Sequence, residues 1–162
     1  MSKSGVQIKF VCDVMLGTLA KWLRILGFDT KYSKDFEDEE ILKIAEEENR
    51  VVLTRDKLLA NKAKKAVYIN ERSLDEQIKK VLNELKINVD EGKILTRCIL
   101  CNVKVEKIEK EKVKGKVPSH VFENHDEFWI CPNCQRIYWA GTHWQNMEEK
   151  IKEISNNMNR RI

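Results

Sequence analysis

Four cysteines form two pairs whose spacing suits a single metal ion. Cys98 and Cys101 make one C-x-x-C motif, and Cys131 and Cys134 make a second one. Two residues between thiolates let both sulfurs face the same ion, and two such motifs complete the tetrahedral shell of a structural Zn²⁺. The spacer between the pairs is longer than the roughly 15–20 residues of the commonest pattern, so we expect a β-hairpin to fill it. The cysteines therefore predict a structural zinc site.

A shell of four thiolates leaves no open position for a reacting water molecule. The alternative is a redox motif, but a redox pair is expected beside the start of a βαβ unit, where neither pair falls in this sequence. The fifth cysteine, Cys12, lies within an apolar segment and is expected to be an inert core thiol. Any chemistry must use other residues.

Carboxylates supply a second candidate site. Asp13 and Asp56 each follow a short apolar segment that predicts a buried strand, and Asp38, Glu39 and Glu40 form an acidic helix start. The carboxyl ends of parallel strands meet at one edge of a sheet, where ligands bind. Carboxylates gathered there repel one another unless a hard cation such as Mg²⁺ or Mn²⁺ neutralises them. Such an ion activates water for in-line attack on a phosphodiester.

Each of these acidic residues also has a purely structural explanation. An Asp after a strand caps the next helix, and acidic residues in the first turn of a helix complement its dipole. The sequence contains no P-loop, Gly-rich dinucleotide motif or Ser–His–Asp set, which removes several enzyme classes.

The elements that must position these groups alternate between strand and helix through residues 1–94. Apolar runs predict strands at 8–12, 29–33, 50–54 and 66–70, and helical periodicity predicts helices at 15–28, 35–49, 57–65 and 73–87. Gly27 is expected to adopt a left-handed conformation at a helix end, and Lys21 and Arg24 are expected on the polar face of that helix. This alternation predicts an α/β fold with a parallel sheet flanked by helices.

Residues 95–162 differ in character and predict a small β-rich second domain. The lysine-rich stretch 103–117 predicts a β-hairpin, and residues 127–141 predict a strand, a metal knuckle and a second strand. A short C-terminal helix is expected at 146–155, followed by a frayed tail at 156–162.

Composition indicates a globular protein with a sizeable core. Hydrophobic residues make up 42% and charged residues 35% of the 162 residues, and the net charge is +4. No apolar run is long enough for a signal peptide or a membrane span, so we expect a cytoplasmic protein without a membrane partner, in which thiols stay reduced. The mild positive charge permits nucleic-acid binding without requiring it.

Four segments of the sequence, taken in order, show a resemblance to a known family. The stretches "CDVMLGTLAKWLRILGFDT", "DEEILKIAEEENRVVLTRD", "RCILCN" and "CPNCQRIYWAGTHW" resemble, in this order, the Mut-seven C-terminal RNase domain family. The resemblance runs from about Phe10 to Trp144. It implies a PIN-like nuclease domain followed by a C-terminal zinc ribbon.

The resemblance also implies roles for individual residues. Asp13 would be the metal carboxylate after the first strand, Asp38 the helical acidic residue, and Asp56 the carboxylate of the T-x-D motif. Asp75 is the nearest candidate for a fourth acidic residue, although its match is poor. Cleavage of RNA in this fold is expected to leave 5′-phosphate and 3′-hydroxyl ends.

Basic and aromatic residues are candidates for contacts with RNA. Lys21, Arg24 and Arg55 lie close to the carboxylates in sequence and are candidates to hold phosphate oxygens, although Arg24 is equally suited to a structural ion pair. The lysines of 104–116 either form a solvated hairpin or steer RNA. Trp129 and Trp139 are expected in the core of the ribbon, whereas Tyr138 and His143 are open candidates for stacking on bases.

These observations together predict a metal-dependent ribonuclease acting on single-stranded RNA, with structural Zn²⁺ and catalytic Mg²⁺ or Mn²⁺. The alternatives are a non-catalytic RNA-binding module and a zinc-ribbon adaptor for protein partners. The sequence does not fix the oligomeric state.

Overall fold

The computed structural model describes residues 7–159, except for the side chains of residues 142–144 and 155–159. The chain divides into two compact units, and the boundary between them lies after Leu95. None of the helices in this described part is both long and apolar enough to cross a membrane.

The first unit is built on a four-stranded parallel sheet, as the sequence predicts. Its strands are β1 (Phe10–Cys12), β2 (Thr30–Lys31), β3 (Val51–Thr54) and β4 (Ala66–Tyr68), arranged in the order β2-β1-β3-β4. β1 and β3 are buried along their whole length. Strands covered on both faces become almost continuously apolar, which explains the runs "FVC" and "VVLT".

Four helices flank this sheet. They are α1 (Gly17–Ile25, preceded by a 3₁₀ turn at Val14–Leu16), α2 (Asp38–Glu48), α3 (Lys57–Lys62) and α4 (Leu74–Leu85). On one face, Val11 and Val52 pack against Ile41 of α2 and Leu59 of α3. Fully burying each aliphatic side chain of this kind contributes about 1.5–3 kcal/mol.

The end of α1 confirms one expectation and corrects another. Gly27 has φ +97°, and a Cβ there would lie 2.5 Å from the carbonyl oxygen of Lys93, so this position requires glycine. Arg24, in contrast, does not lie on a solvent-exposed polar face: it is 8% exposed. Its Nε donates a 2.8 Å hydrogen bond to the carbonyl oxygen of Thr30. The guanidinium is buried because it supplies the hydrogen-bond donor for this main-chain oxygen at the start of β2.

A second buried arginine also lies at the amino end of the sheet. Arg50 precedes β3, and its Nη1 donates to the carbonyl oxygen of Phe10 (3.0 Å) and to Oδ1 of Asp29 (2.8 Å). Its Nε donates to Glu48 at 2.7 Å. The arginine therefore ties the starts of two strands to the end of α2.

The second unit contains a three-stranded antiparallel sheet. Its strands are β5 (Glu106–Ile108), β6 (Phe128–Ile130) and β7 (Ile137–Tyr138), in the order β5-β6-β7. A small apolar cluster forms around Val113, Val121 and Phe128, and Trp139 packs against it as expected. Trp129 is half-buried, and the ammonium of Lys107 lies 5.2 Å from the centroid of its ring.

The predicted hairpin at 103–117 is wrong. Only β5 is a strand, and it pairs with β6 across a long connection that contains a 3₁₀ turn at Lys110–Val113 and α5 at Ser119–Asn124. Gly115, at φ +83°, and Pro118 interrupt any second strand, while Val113 turns inward and is completely buried. The alternation of lysine with glutamate and apolar residues in this stretch gave a misleading strand pattern.

The C-terminal helix is longer than the sequence predicts. α6 spans Thr142–Asn159, which is 18 residues. Two of its residues, Ile151 and Ile154, are buried. Much of the predicted frayed tail is therefore helical, and 160–162 lie outside the described residues.

Candidate active site and metal centre

The four cysteines of the second unit converge on one point. Their sulfurs all lie within 4.8 Å of one another. The sulfurs of Cys98 and Cys134 are 3.7 Å apart. A tetrahedral Zn²⁺ with Zn–S bonds of about 2.3 Å requires sulfurs about 3.8 Å apart. The cluster can thus hold a metal ion such as zinc.

The two C-x-x-C motifs have the same local conformation. In both, the amide of the first cysteine donates to a carbonyl five residues on, at 2.8 Å for Cys98 and 3.0 Å for Cys131. The residue after the second cysteine, Asn102 or Gln135, adopts φ +68°, and its amide donates a 2.9 Å hydrogen bond to the carbonyl oxygen of the first cysteine. These turns direct main-chain amides toward sulfur, which is the local geometry of a metal knuckle.

Further hydrogen bonds surround the sulfurs. The Tyr138 hydroxyl lies 3.1 Å from Sγ of Cys98 and accepts a bond from the amide of Ile99 at 3.2 Å, and Nδ2 of Asn133 donates to Cys101 at 3.2 Å. Tyr138, which the sequence left open as a base-stacking residue, directs its hydroxyl to the metal site. These contacts orient the ligands and disperse their charge.

The thiol pKa values show why a cation suits this cluster. Burial tends to raise the pKa of Cys98, but hydrogen bonds from Tyr138 and from main-chain amides outweigh it and lower that pKa to about 7. For Cys134, a main-chain hydrogen bond from Arg136 lowers the pKa, but desolvation and the neighbouring thiols outweigh it and raise that pKa to about 11. Adjacent thiolates resist joint ionisation unless a metal ion neutralises them.

Cys12 has no part in this cluster. It is completely buried in β1, and burial raises the pKa of its thiol far above the usual range. A thiol with so little thiolate character is unreactive, as the sequence predicts.

The carboxyl edge of the parallel sheet holds Asp13. This residue directly follows β1 and is only 6% exposed. Its Oδ1 accepts from the amide of Met15 at 2.9 Å, and its Oδ2 accepts from the hydroxyl of Thr54 and from the amide of Arg55 at 3.0 Å. Three donors from two chain segments therefore fix the orientation of one carboxylate.

Asp56 lies beside this network on the turn after β3. Its amide donates to Oγ1 of Thr54 at 2.9 Å, so the Thr54 hydroxyl bridges Asp13 and Asp56. Oδ1 of Asp56 accepts from the amides of Leu58 (2.8 Å) and Leu59 (3.4 Å) and caps α3. Both aspartates thus serve as local caps, and both stand at the same edge because β1 and β3 are adjacent.

The third predicted carboxylate is not part of this hydrogen-bonded network. Asp38 is the first residue of α2, and its side chain is exposed. Among the residues that the structure describes, only the four cysteines form a set of three or more candidate ligands within 4.8 Å of one another. Asp13, Asp38 and Asp56 accordingly do not form a closed cage. Asp75 is half-buried in the first turn of α4.

The basic candidates occupy three different environments. Lys21 is exposed on α1, and Arg24 is buried against main chain. Arg55 is half-buried, and its Nη1 donates to the carbonyl oxygen of Glu71 at 2.9 Å. Gln77 of α4 donates to the same oxygen at 2.9 Å, so it fixes the loop after β4 rather than lying free on a helix surface.

Thr54 is the functional candidate that sequence reasoning did not assign. It is fully buried and joins the two strand-end aspartates. The signal was present in the T-x-D pattern, in which a hydroxyl two residues before an aspartate can accept from the aspartate amide.

Comparison with known families shows which family the chain matches. A model of the Mut7-C RNAse domain matches residues 8–151, which is most of the chain and extends over parts of both units. Comparison with curated proteins gave no match, and neither did comparison with solved structures. The description of the family indicates a nuclease or RNA-related role. The chain belongs to the Mut7-C RNAse domain family.

Proposed function

We propose that the chain is a metal-dependent ribonuclease that hydrolyses phosphodiester bonds of single-stranded RNA. The observation that supports this most strongly is the state of Asp13. Asp13 is 6% exposed at the end of a central strand, and its carboxylate is oriented by three donors and is linked through Thr54 to a second aspartate. A single helix cap does not require so many constraints, whereas a ligand of fixed geometry does.

Oxygen donors of this kind fit a hard dication. Mg²⁺ keeps several waters and is commonly bound through one or two carboxylates together with substrate phosphates. Asp13 and Asp56 would hold Mg²⁺ or Mn²⁺ directly, and Asp38 would do so directly or through water. This incomplete shell suits the chemistry better than a closed cage, because a closed cage excludes substrate. When bound, such an ion activates water and neutralises charge at phosphorus.

The residues of the chain supply orientation. Asp13 is fixed by Thr54, Arg55 and Met15, so it can hold its position as charge develops at the phosphate. Lys21 and Arg55 are the proposed contacts to phosphate oxygens. In-line attack of water on phosphorus breaks the bond to the 3′-oxygen, which leaves a 5′-phosphate and a 3′-hydroxyl. The buried Arg24 acts in this scheme as a positioning residue, since its Nε bonds main chain.

The cysteine cluster has a structural part in this proposal. Zn²⁺ held by Cys98, Cys101, Cys131 and Cys134 would close the two knuckles and fix the small second sheet, whose apolar cluster is centred on only three buried residues among those that the structure describes. The lysines of 104–116 would give this unit a role in holding RNA.

The test is a cleavage assay on the zinc-loaded chain. End-labelled, unstructured RNA is incubated with Mn²⁺, and parallel reactions contain EDTA, Asp56→Asn or Asp13→Asn. We expect cleavage with Mn²⁺ only, and a loss of about hundredfold or more in each variant, because an amide cannot replace a charged metal ligand.

Asp90→Asn is a matched control. Oδ1 of Asp90 accepts from the amide of Gly92 at 3.0 Å, the same local bond that Asp13 makes with Met15, and Asp90 lies near the start of β1, at the opposite end of the strand from Asp13. Its variant should cleave normally. Equal cleavage by wild type and Asp56→Asn would contradict the proposal and favour a contaminating nuclease, a non-catalytic RNA-binding module or a protein adaptor.

A further inference from the structure

The large apolar side chains with the greatest exposure in the first unit are grouped at one place. In the described part of that unit they are Val14 (41% exposed), Met15 (71%) and Leu58 (71%). Val14 and Met15 directly follow Asp13, and Leu58 lies two residues after Asp56. Single exposed apolar residues are common, but a group at one site marks an interaction surface.

The fold itself does not require apolar side chains at these positions. Met15 and Leu58 take part in the acidic edge through their backbone amides, which donate to Asp13 at 2.9 Å and to Asp56 at 2.8 Å. Val14 is fixed through its carbonyl oxygen, which accepts from the hydroxyl of Tyr32 at 2.9 Å. Any residue type provides these main-chain groups. Polar side chains would satisfy the same local structure without exposing apolar area.

The hydrogen bonds also fix where the three residues lie. Asp13 and Asp56 are joined through Thr54, and each holds the amide of one apolar residue. Val14, Met15 and Leu58 therefore flank the carboxylates from both adjacent turns. We refer to these three residues as the apolar rim.

We propose that the apolar rim packs against unpaired bases of the RNA whose phosphodiester lies at the acidic edge, and so selects single-stranded substrate. This inference rests on the proposed ribonuclease function. Bases in a duplex are stacked on both faces, whereas unpaired bases have free faces that apolar side chains can cover. Met15 suits such a contact, because its thioether is flexible and polarizable and packs well on rings.

Size and charge favour RNA over a protein partner. Three side chains provide far less area than the roughly 800 Å² per partner of a stable protein interface, but they match one or two bases. Lys57 lies between Asp56 and Leu58 in the sequence and is exposed, and its ammonium lies 5.6 Å from the centroid of the Tyr68 ring at the end of the adjacent strand β4. A negatively charged chain that carries flat apolar groups is complementary to this combination.

The test measures binding separately from cleavage. A fluorescent single-stranded RNA and a probe of equal length and charge with abasic residues are titrated with zinc-loaded protein, with Ca²⁺ in place of Mn²⁺ to suppress hydrolysis. We expect wild type to prefer the base-bearing RNA. The double variant Met15→Ser/Leu58→Ser should lose about tenfold in affinity for that RNA, with little change for the abasic probe.

Leu100→Ser is the matched control. Leu100 is 61% exposed and belongs to the second unit, so the substitution removes a similar apolar side chain from outside the rim; because Leu100 lies between Cys98 and Cys101, the zinc content of the variant is measured as well. Its affinities should equal those of wild type. The substitutions in the rim are at exposed positions, and a thermal melt checks that the fold is intact.

Three results would overturn the inference. They are equal affinity of wild type for the two probes, equal loss of affinity on both probes in the double variant, and unchanged affinity of the double variant for the base-bearing RNA. If that unchanged affinity is accompanied by a particle mass in light scattering that differs between wild type and the double variant, the rim is a protein contact instead. Since binding is measured without hydrolysis, failure of this inference is distinguishable from failure of the ribonuclease proposal, which depends on cleavage by wild type and Asp56→Asn.

Discussion

Replacement of Thr54 by valine removes one hydroxyl from the centre of the acidic edge and keeps the shape of the side chain. That hydroxyl donates to Oδ2 of Asp13 and accepts from the amide of Asp56 at 2.9 Å. Thr54 is fully buried, so water cannot readily replace either bond. The variant therefore loses one hydrogen bond to a charged group and leaves one amide without its acceptor.

The two losses set the expected magnitude. A hydrogen bond to a charged group contributes about 1.5–3 kcal/mol, and an unsatisfied buried donor costs about 1–3 kcal/mol. The losses share one side chain and are not additive, and the new methyl group recovers part of them. We expect Thr54→Val to lower the free energy of unfolding by about 2–4 kcal/mol. Thr54→Ser keeps the hydroxyl and loses one methyl group, which costs about 1 kcal/mol.

Urea denaturation of the zinc-loaded protein measures this difference, and the RNA cleavage assay measures its consequence. Under the ribonuclease proposal, Asp13 and Asp56 lose their common link, and a displacement of about 1 Å in a catalytic group costs about hundredfold in rate. Thr54→Val should therefore cleave RNA about hundredfold more slowly under conditions in which it is folded, and Thr54→Ser should remain close to wild type.

The comparison of the two variants can refute this reasoning. If Thr54→Val unfolds at the same urea concentration as Thr54→Ser, the bridge contributes nothing to stability. If Thr54→Val is destabilised as expected but cleaves RNA at the wild-type rate, the bridge matters for folding alone and the geometry of the two aspartates is not set by Thr54.

Three further changes test other parts of the structure. A hydrogen bond from Lys31 is the main cause of the lowered pKa of Glu48. The ionised Glu48 carboxylate therefore stabilises the fold above the pKa that it has in the unfolded chain, and this stabilisation is lost as pH falls through its folded pKa. Glu48→Gln should lower the free energy of unfolding by about 0.5–1 kcal/mol at pH 7 in urea denaturation, and below about pH 4.5 the variant should lose less stability than wild type does. Tyr138→Phe removes the hydroxyl that lies 3.1 Å from the sulfur of Cys98, so zinc should transfer to a chromogenic chelator about tenfold faster than from wild type. An unchanged transfer rate would show that this hydrogen bond does not stabilise the bound zinc. Gly27→Ala, at φ +97° with a carbonyl oxygen 2.5 Å from the new Cβ, should lower the free energy of unfolding by more than the ~1 kcal/mol of an ordinary left-handed position, and a thermal melt equal to wild type would contradict the observed backbone.

The parallel sheet could be predicted because each buried strand has a direct sequence signal. Burial on both faces makes "FVC" and "VVLT" continuously apolar, and the intervening helices have helical periodicity. The metal cluster could be predicted for a similar reason, because sulfur spacing within C-x-x-C determines the local turn.

Other features depend on long-range contacts that no local pattern records. The 103–117 stretch alternates lysine with apolar residues, but Val113 is drawn into a cluster with Phe128, and Gly115 breaks the strand. Arg24 has the spacing of a surface residue but is buried because the main chain at Thr30 requires a donor. Asp13 and Asp56 are joined only because the hydroxyl of Thr54 lies within hydrogen-bond distance of both residues. The sequence does not give the distance between Thr54 on β3 and Asp13 at the end of the adjacent strand β1.

The central claim is that the strand-end aspartates bind a dication at the edge of the sheet. Paramagnetic line broadening tests it most directly, with substoichiometric Mn²⁺ added to the isotope-labelled, zinc-loaded chain. We predict that the amide resonances of Asp13, Asp38 and Asp56 broaden together, and that Asp56→Asn abolishes the effect. Uniform weak broadening, or broadening confined to residues distant from β1 and β3, would contradict the proposed metal site and with it the proposed ribonuclease mechanism.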